Sequence, residues 1–205
     1  MSTNTDAIPR TYAYRRSRNT EKRMQLQPLD IQGLFEITAP RNEDERGFFM
    51  RTYDSAIFAA HGLESHWEQE SVSFNRRRLT VRVLHFQRPP FPETKIVRVT
   101  RGKIFDIALD LRKNSPTFGR HATIELSADV GNAIYIPSGF AHGFQTLEDD
   151  TVVEYKINVA YRPELTAGVR WNDPALGIAW IPGDIEISER DASLPLFDKV
   201  PEIEF

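Results

Sequence analysis

The sequence predicts an all-β barrel or jelly roll, on three observations. From Gln25 onward, short runs of β-branched and aromatic residues alternate with Gly, Pro, Asn and Asp. These runs recur at short spacing, with turn chemistry between them, and helix signals are confined to one segment. The length, 205 residues, fits one core of this kind and leaves little room for a second full domain.

In chain order, residues 1–23 are polar and rich in arginine (Arg10, Arg15, Arg16, Arg18, Arg23), without the apolar periodicity that would order a backbone. They read as a mobile tail preceding a domain over 24–205. The helix signal falls at Ser55–His61, with Asp54 as N-cap and Gly62 as the stop. Strands are expected at Thr80–His85, Lys95–Thr100, Lys103–Leu109, His121–Leu126, Asn132–Ile136 and Thr151–Asn158. Arg101-Gly102 joins two of them as a tight turn and Asp129–Asn132 marks another reversal, so antiparallel pairing follows.

Composition bounds the partners. Hydrophobic residues make up 40%, charged residues 27%, and the formal net charge is −3, which does not favour nucleic acid. No apolar run approaches the roughly 20 residues of a membrane span and the N-terminus lacks a secretory apolar region, so a cytoplasmic protein is expected. Cysteine is absent, which removes disulfides, thiolate nucleophiles and cysteine-ligated zinc.

Of five histidines, His61 and His66 read as solvated surface groups. His85 ends the strand Val81-Arg82-Val83-Leu84-His85-Phe86-Gln87. Strict alternation puts Arg82, Leu84 and Phe86 on one face and Val83 and His85 on the other. If that second face is the barrel interior, a titratable group stands in a cavity; a core histidine satisfied by a backbone carbonyl fits the strand equally well.

A second informative stretch is Ile136-Pro137-Ser138-Gly139-Phe140-Ala141-His142, which resembles the second motif of cupin barrels. Metal-binding cupins also carry His-x-His on an earlier strand, and here His85-Phe86-Gln87 supplies one imidazole only. No catalytic metal is therefore expected. An internal histidine without a metal suits proton abstraction near neutral pH, given an orienting carboxylate and a complementary acid. Tyr155 within a strand and Tyr161 in the following turn are candidate acids, Asp173 in Trp171-Asn172-Asp173-Pro174 is a candidate carboxylate, and Lys95 is a candidate counter-charge for an enolate. Taken singly, aromatic packing, a turn-forming Asp-Pro and an exposed strand end account for them as well.

Taken in order, the segments resemble the dTDP-4-dehydrorhamnose 3,5-epimerase family over almost all of 24–205. The matching stretches include Glu45-Arg46-Gly47-Phe48-Phe49, Arg82–Gln87, Lys95–Val99, Asp106–Arg112, Ser115–Gly119, Ile136–Phe144, Tyr155-Lys156 and Trp171–Pro174. The resemblance implies a homodimeric cupin-type jelly roll with exchanged N-terminal strands and no cofactor, acting on a nucleoside-diphosphate 4-keto-6-deoxy sugar. It further implies His85 as base, Asp173 as its orienting carboxylate, Tyr155 as acid, and Lys95 with Arg82 at the enolate oxygen. Arg46, Phe49 and Gln69 are expected at the nucleotide, and Arg112, His142 and Tyr161 around the sugar.

Three positions depart from the family pattern: Arg51 stands where a Glu is usual, Ser71 where an Asn is usual, and Val83 where a Gly is usual. Two of these concern the nucleotide end, so beside dTDP, the default nucleotide, GDP or CDP is an alternative. The rival readings are an epimerase of one carbon only, a keto-isomerase on the same barrel, and a non-catalytic sugar-nucleotide binding protein.

Overall fold

The computed structural model describes residues 23–200 and Glu204, so the expected tail lies outside the described residues except for Arg23. The chain opens with β1 (Gln25–Pro28), β2 (Phe35–Thr38) and the hairpin β3 (Arg41–Asp44) and β4 (Gly47–Met50), followed by α1 (Ser55–Ala60). The strands β5 (Gln69–Asn75), β6 (Val81–Gln87), β7 (Lys95–Arg101), β8 (Lys103–Asp110) and β9 (His121–Ser127) come next. Then follow β10 (Ala133–Ile136), β11 (Phe140–Thr146), β12 (Thr151–Ile157), β13 (Thr166–Gly168) and, near the end, α2 (Glu189–Ala192).

The strands form a jelly roll of two facing sheets, one ordered β1-β2-β10-β7-β12-β5 and the other β13-β6-β11-β8-β9. Every pairing between these strands is antiparallel, as the turn chemistry predicts. Gly102 makes the tight β7–β8 turn at φ +78°, a conformation that costs glycine little. In α1 the Asp54 carboxylate accepts from the amides of Ala56 and Ile57, and the helix stops one residue earlier than predicted, with His61 as its C-cap.

Side chains alternate along the strands, and the core follows. Val97 and Val99 of β7, Ile104 and Ala108 of β8, Ile134 and Ile136 of β10, and Phe140 and Phe144 of β11 fill the space between the sheets. The outer face of the second sheet is covered by residues 167–200, against Val83, Leu84, Ile107 and Leu109. The outer face of the first is covered in part by α1, through Phe58 against Tyr135 and Ile96. Each fully buried aliphatic or aromatic side chain contributes about 1.5–3 kcal/mol. Among the described residues no helix is long and apolar enough to cross a membrane.

β6 departs from the alternation expected of it. His85 pairs with His142 and Arg82 with Phe144, so two residues of β6, Val83 and Leu84, oppose the single Gly143 of β11. This bulge turns both Val83 and Leu84 outward into the same apolar cluster. Arg82 and His85, expected on opposite faces, therefore line one cavity. Gly143 permits the bulge by having no side chain: a Cβ there would lie 2.7 Å from the Leu84 amide nitrogen and 2.8 Å from the Arg82 carbonyl oxygen.

Candidate functional site

A cavity of about 290 Å³ opens between the two sheets. Arg82 and His85 of β6 and His142 of β11 enter it from one sheet. Ser71 of β5, Lys95 of β7 and Tyr155 of β12 enter it from the other, while Glu93 and Tyr161 stand on connecting segments and Arg190 and Asp191 on α2. Polar groups converging in a cleft of this kind are the usual mark of a binding site.

His85 donates from Nε2 to Asp191 Oδ1 at 2.8 Å; its side chain is 34% exposed and that of Asp191 is 9% exposed. With Nε2 as donor, Nδ1 keeps a lone pair that can accept a proton. Burial raises the Asp191 carboxyl, but the hydrogen bond and charge of His85 and the amide of Val83 outweigh it, and its pKa is lowered overall. An ionised Asp191 can stabilise the imidazolium that forms when His85 takes a proton.

A second imidazole–carboxylate pair lies beside the first. His142 donates from Nε2 to Asp106 Oδ2 at 2.8 Å, with both side chains nearly sealed. Among the described residues Asp106 Oδ1 is buried without a hydrogen-bond partner. The His142 ring meets Tyr155 edge-on, with centroids 6.2 Å apart. Burial pushes the Tyr155 phenol well above its usual pKa, the negative charge of Asp106 adds to this, and the Ser73 hydroxyl and the Arg82 charge oppose it. The phenol thus holds its proton throughout the neutral range.

Cations complete the cavity. Lys95 is paired with Glu93 at 2.8 Å, the two side chains being 12% and 11% exposed. Arg82 donates from Nε to Asn75 Oδ1 at 2.7 Å. Such an arrangement can remove a proton on one side of a bound ring, deliver one on the other and hold negative charge between them.

The expected carboxylate, Asp173, is elsewhere. Its oxygens accept the amides of Ala175 at 2.9 Å and Phe197 at 2.6 Å. It is a buried turn-former that fastens the C-terminal segment, while Asp191 occupies the place at His85. Arg112 is also outside the cavity: its guanidinium chelates the buried Asp110 and lies 4.6 Å from the centroid of the Phe140 ring. Gln69 does not line the cavity either, but its side-chain oxygen accepts the Tyr161 amide at 2.8 Å and so holds the rim.

Arg46 and Phe49 sit on the exposed β3–β4 hairpin, away from the cavity of their own chain, with Arg46 paired to Asp44. Arg51 pairs with Asp54 at the start of α1 at 2.8 Å. Gln87, at the position where metal cupins carry a second imidazole, donates to the carbonyls of Phe91 and Ala160 and accepts the Arg162 amide. Among the described residues no three His, Asp or Glu side chains converge as a metal cage.

The sequence reading missed Asp191, Arg190, Glu93 and Asp106. For Asp106 a signal exists, because alternation between Ile104 and Ala108 points it inward. Glu93 stands two residues before Lys95 and lines the same cavity. For Asp191 no local signal exists, since Ser188-Glu189-Arg190-Asp191 reads as a capped surface helix and Ser188 does accept the Asp191 amide.

The chain is similar to known proteins of one family. The family model described as dTDP-4-dehydrorhamnose 3,5-epimerase matches residues 28–199. The Methanothermobacter thermautotrophicus protein named dTDP-4-dehydrorhamnose 3,5-epimerase is 47% identical over 151 residues, which is 72% of this chain and 80% of that protein. The Legionella pneumophila dTDP-6-deoxy-D-glucose-3,5-epimerase, solved with dTDP-4-keto-L-rhamnose, superimposes with a TM-score of 0.84 at 30% identity, covering 89% of this chain and 98% of that one. The Streptomyces bikiniensis 3'-monoepimerase, solved with dTDP-quinovose, gives a TM-score of 0.77 at 31% identity over 83% of this chain and 87% of that one. By family match and by close relatives, this cupin-type jelly roll belongs to the dTDP-4-dehydrorhamnose 3,5-epimerase family.

Proposed function

We propose that the chain inverts C3 and C5 of a nucleoside-diphosphate 4-keto-6-deoxy sugar, with dTDP as the nucleotide. The observation that carries the reading is the opposition of His85 on one sheet, backed by Asp191 of α2, to Tyr155 on the other sheet across one cavity. The 4-keto group acidifies the C–H bonds on both of its neighbours. His85 Nδ1 takes one of these protons, and the electron pair of the broken bond moves into the enolate, whose oxygen carries the charge beside Lys95 and Arg82. Tyr155 then gives its phenolic proton to the other face of the carbon, and solvent restores both groups. If the sugar is presented twice, one set of groups serves both carbons.

The nucleotide end is read from the exposed hairpin. Phe48 and Phe49 are more than half exposed, as is Val72 on the edge strand β5, with Phe74 nearly so. A homodimer that exchanges this hairpin would bring Arg46 and Phe49 to a neighbour's cavity, and light scattering should then give twice the chain mass.

Incubation with dTDP-4-keto-6-deoxyglucose in D₂O, followed by NMR, tests the reading. Deuterium at C3 and C5 is the expected result. Deuterium at one carbon favours a mono-epimerase, a reading that the likeness to the Streptomyces bikiniensis enzyme supports. No exchange with dTDP, GDP or CDP sugars overturns the epimerase reading for this chain.

A further inference from the structure

We propose that Glu93 is a positioning residue for this reaction, holding the Lys95 ammonium where the charge of the enolate oxygen develops. The inference rests on the reading of Lys95 given above.

Glu93 stands in the connecting segment two residues before Lys95, the first residue of β7. Both side chains reach the cavity, are almost closed to water, and meet at 2.8 Å. A charge pair so placed loses much of its hydration, and its presence is not explained by stability alone, since a buried pair is often no better than apolar packing. A lysine ammonium sits at the end of a flexible four-carbon stem, and left free it would spend much of its time away from any one point in the cavity. Tethering it in advance removes that disorder from the barrier.

The segment that carries Glu93 is itself held on both sides. Ahead of it, the buried Gln87 donates to the Phe91 carbonyl at 2.6 Å. Behind it, the Thr94 amide donates to Asn158 Oδ1 at 2.7 Å, and the Asn158 amide donates back to the Thr94 carbonyl at 3.2 Å. The other cavity carboxylate, Asp191, is engaged with His85. Among the described residues Glu93 is thus a held carboxylate paired with Lys95, and Lys95 faces the cavity.

The test compares Glu93→Gln, Glu93→Asp and Lys95→Met in the full chain, using the nucleotide sugar that supports turnover. Glu93→Gln keeps the shape and removes the charge, so kcat should fall about tenfold with KM changed less than about twofold. Glu93→Asp keeps the charge one methylene short and should recover part of the loss. Wild-type kcat in Glu93→Gln, with Lys95→Met inactive, overturns the role of Glu93 and leaves that of Lys95 standing. Wild-type kcat in Lys95→Met overturns both. A Glu93→Gln effect confined to KM also overturns the proposal, because it marks a binding group instead. If Glu93→Gln does not fold, Glu93→Asp decides: a lowered kcat at unchanged KM supports the proposal, and wild-type kcat overturns it.

Discussion

The two imidazole–carboxylate pairs of the cavity have the same chemistry and the same 2.8 Å hydrogen bond, yet they differ in what surrounds them. His85 is one-third exposed, and its carboxylate comes from α2, 106 residues further along the chain. His142 is 5% exposed, and its carboxylate comes from the neighbouring strand β8. The pair that keeps an open imidazole face can meet a substrate proton. The sealed pair cannot easily do so; its carboxylate adds to the burial that raises the Tyr155 phenol. Burial, and not residue type, separates the two roles.

The strongest way to break this comparison is to remove each imidazole in turn. His85→Asn should reduce exchange of sugar C–H with solvent by about 10³-fold. His142→Asn should reduce it far less, while strands the Asp106 charge and destabilises the fold by about 3 kcal/mol, read from thermal melts. Near-total loss of exchange in His142→Asn alone would reverse the roles. Tyr155→Phe should slow completed epimerisation by about 10²-fold while initial exchange falls less, because the acid is lost and the base remains. Full activity in that variant would move the acid role to Tyr161.

The carboxylates sharpen the contrast further. Asp191→Asn should lower kcat by about 10²-fold in a folded protein, whereas Asp173→Asn should cost about 1–3 kcal/mol of stability with kcat within about twofold. Equal kcat losses in the two would show that Asp191 is not the special partner. Gly143→Ala should destabilise by about 1–3 kcal/mol, because its methyl group meets the bulged backbone of β6, and exchange should fall with the displaced His85. A smaller effect is expected from pH. The folded pKa of Asp191 is lowered, so its contribution to stability is complete above the ordinary carboxylate value near 4 and is lost as pH falls through the lowered value. Denaturant midpoints between pH 6 and pH 2 should therefore drop less steeply in Asp191→Asn than in the unaltered chain.

Much was legible in the sequence because it is local. The strand runs of β6–β10 and β12, the Asp54-capped helix and the glycine turn at Gly102 each follow from short-range backbone chemistry and alternation, whereas β11 was not expected as a strand. His85, Lys95 and Tyr155 could be singled out as polar groups within apolar strands, and the order of the motifs pointed to the family. Asp173 was misplaced because Asp-Pro looks the same whether it serves a turn or a site, and here its oxygens are taken by two backbone amides.

By itself, then, the sequence determined an antiparallel jelly roll with candidate proton-transfer groups on its strands, because strand periodicity and turn residues act within a few positions of one another. The tertiary structure alone decided that Arg82 and His85 share a face, since the bulge depends on the close approach of two strands at Gly143. It alone decided that Asp191 serves His85, since a carboxylate 106 residues away is brought there by the packing of the C-terminal segment over the outer face of the sheet. It also raised the Tyr155 phenol above its ordinary pKa, because burial and the neighbouring charge of Asp106 arise only once the sheets have closed.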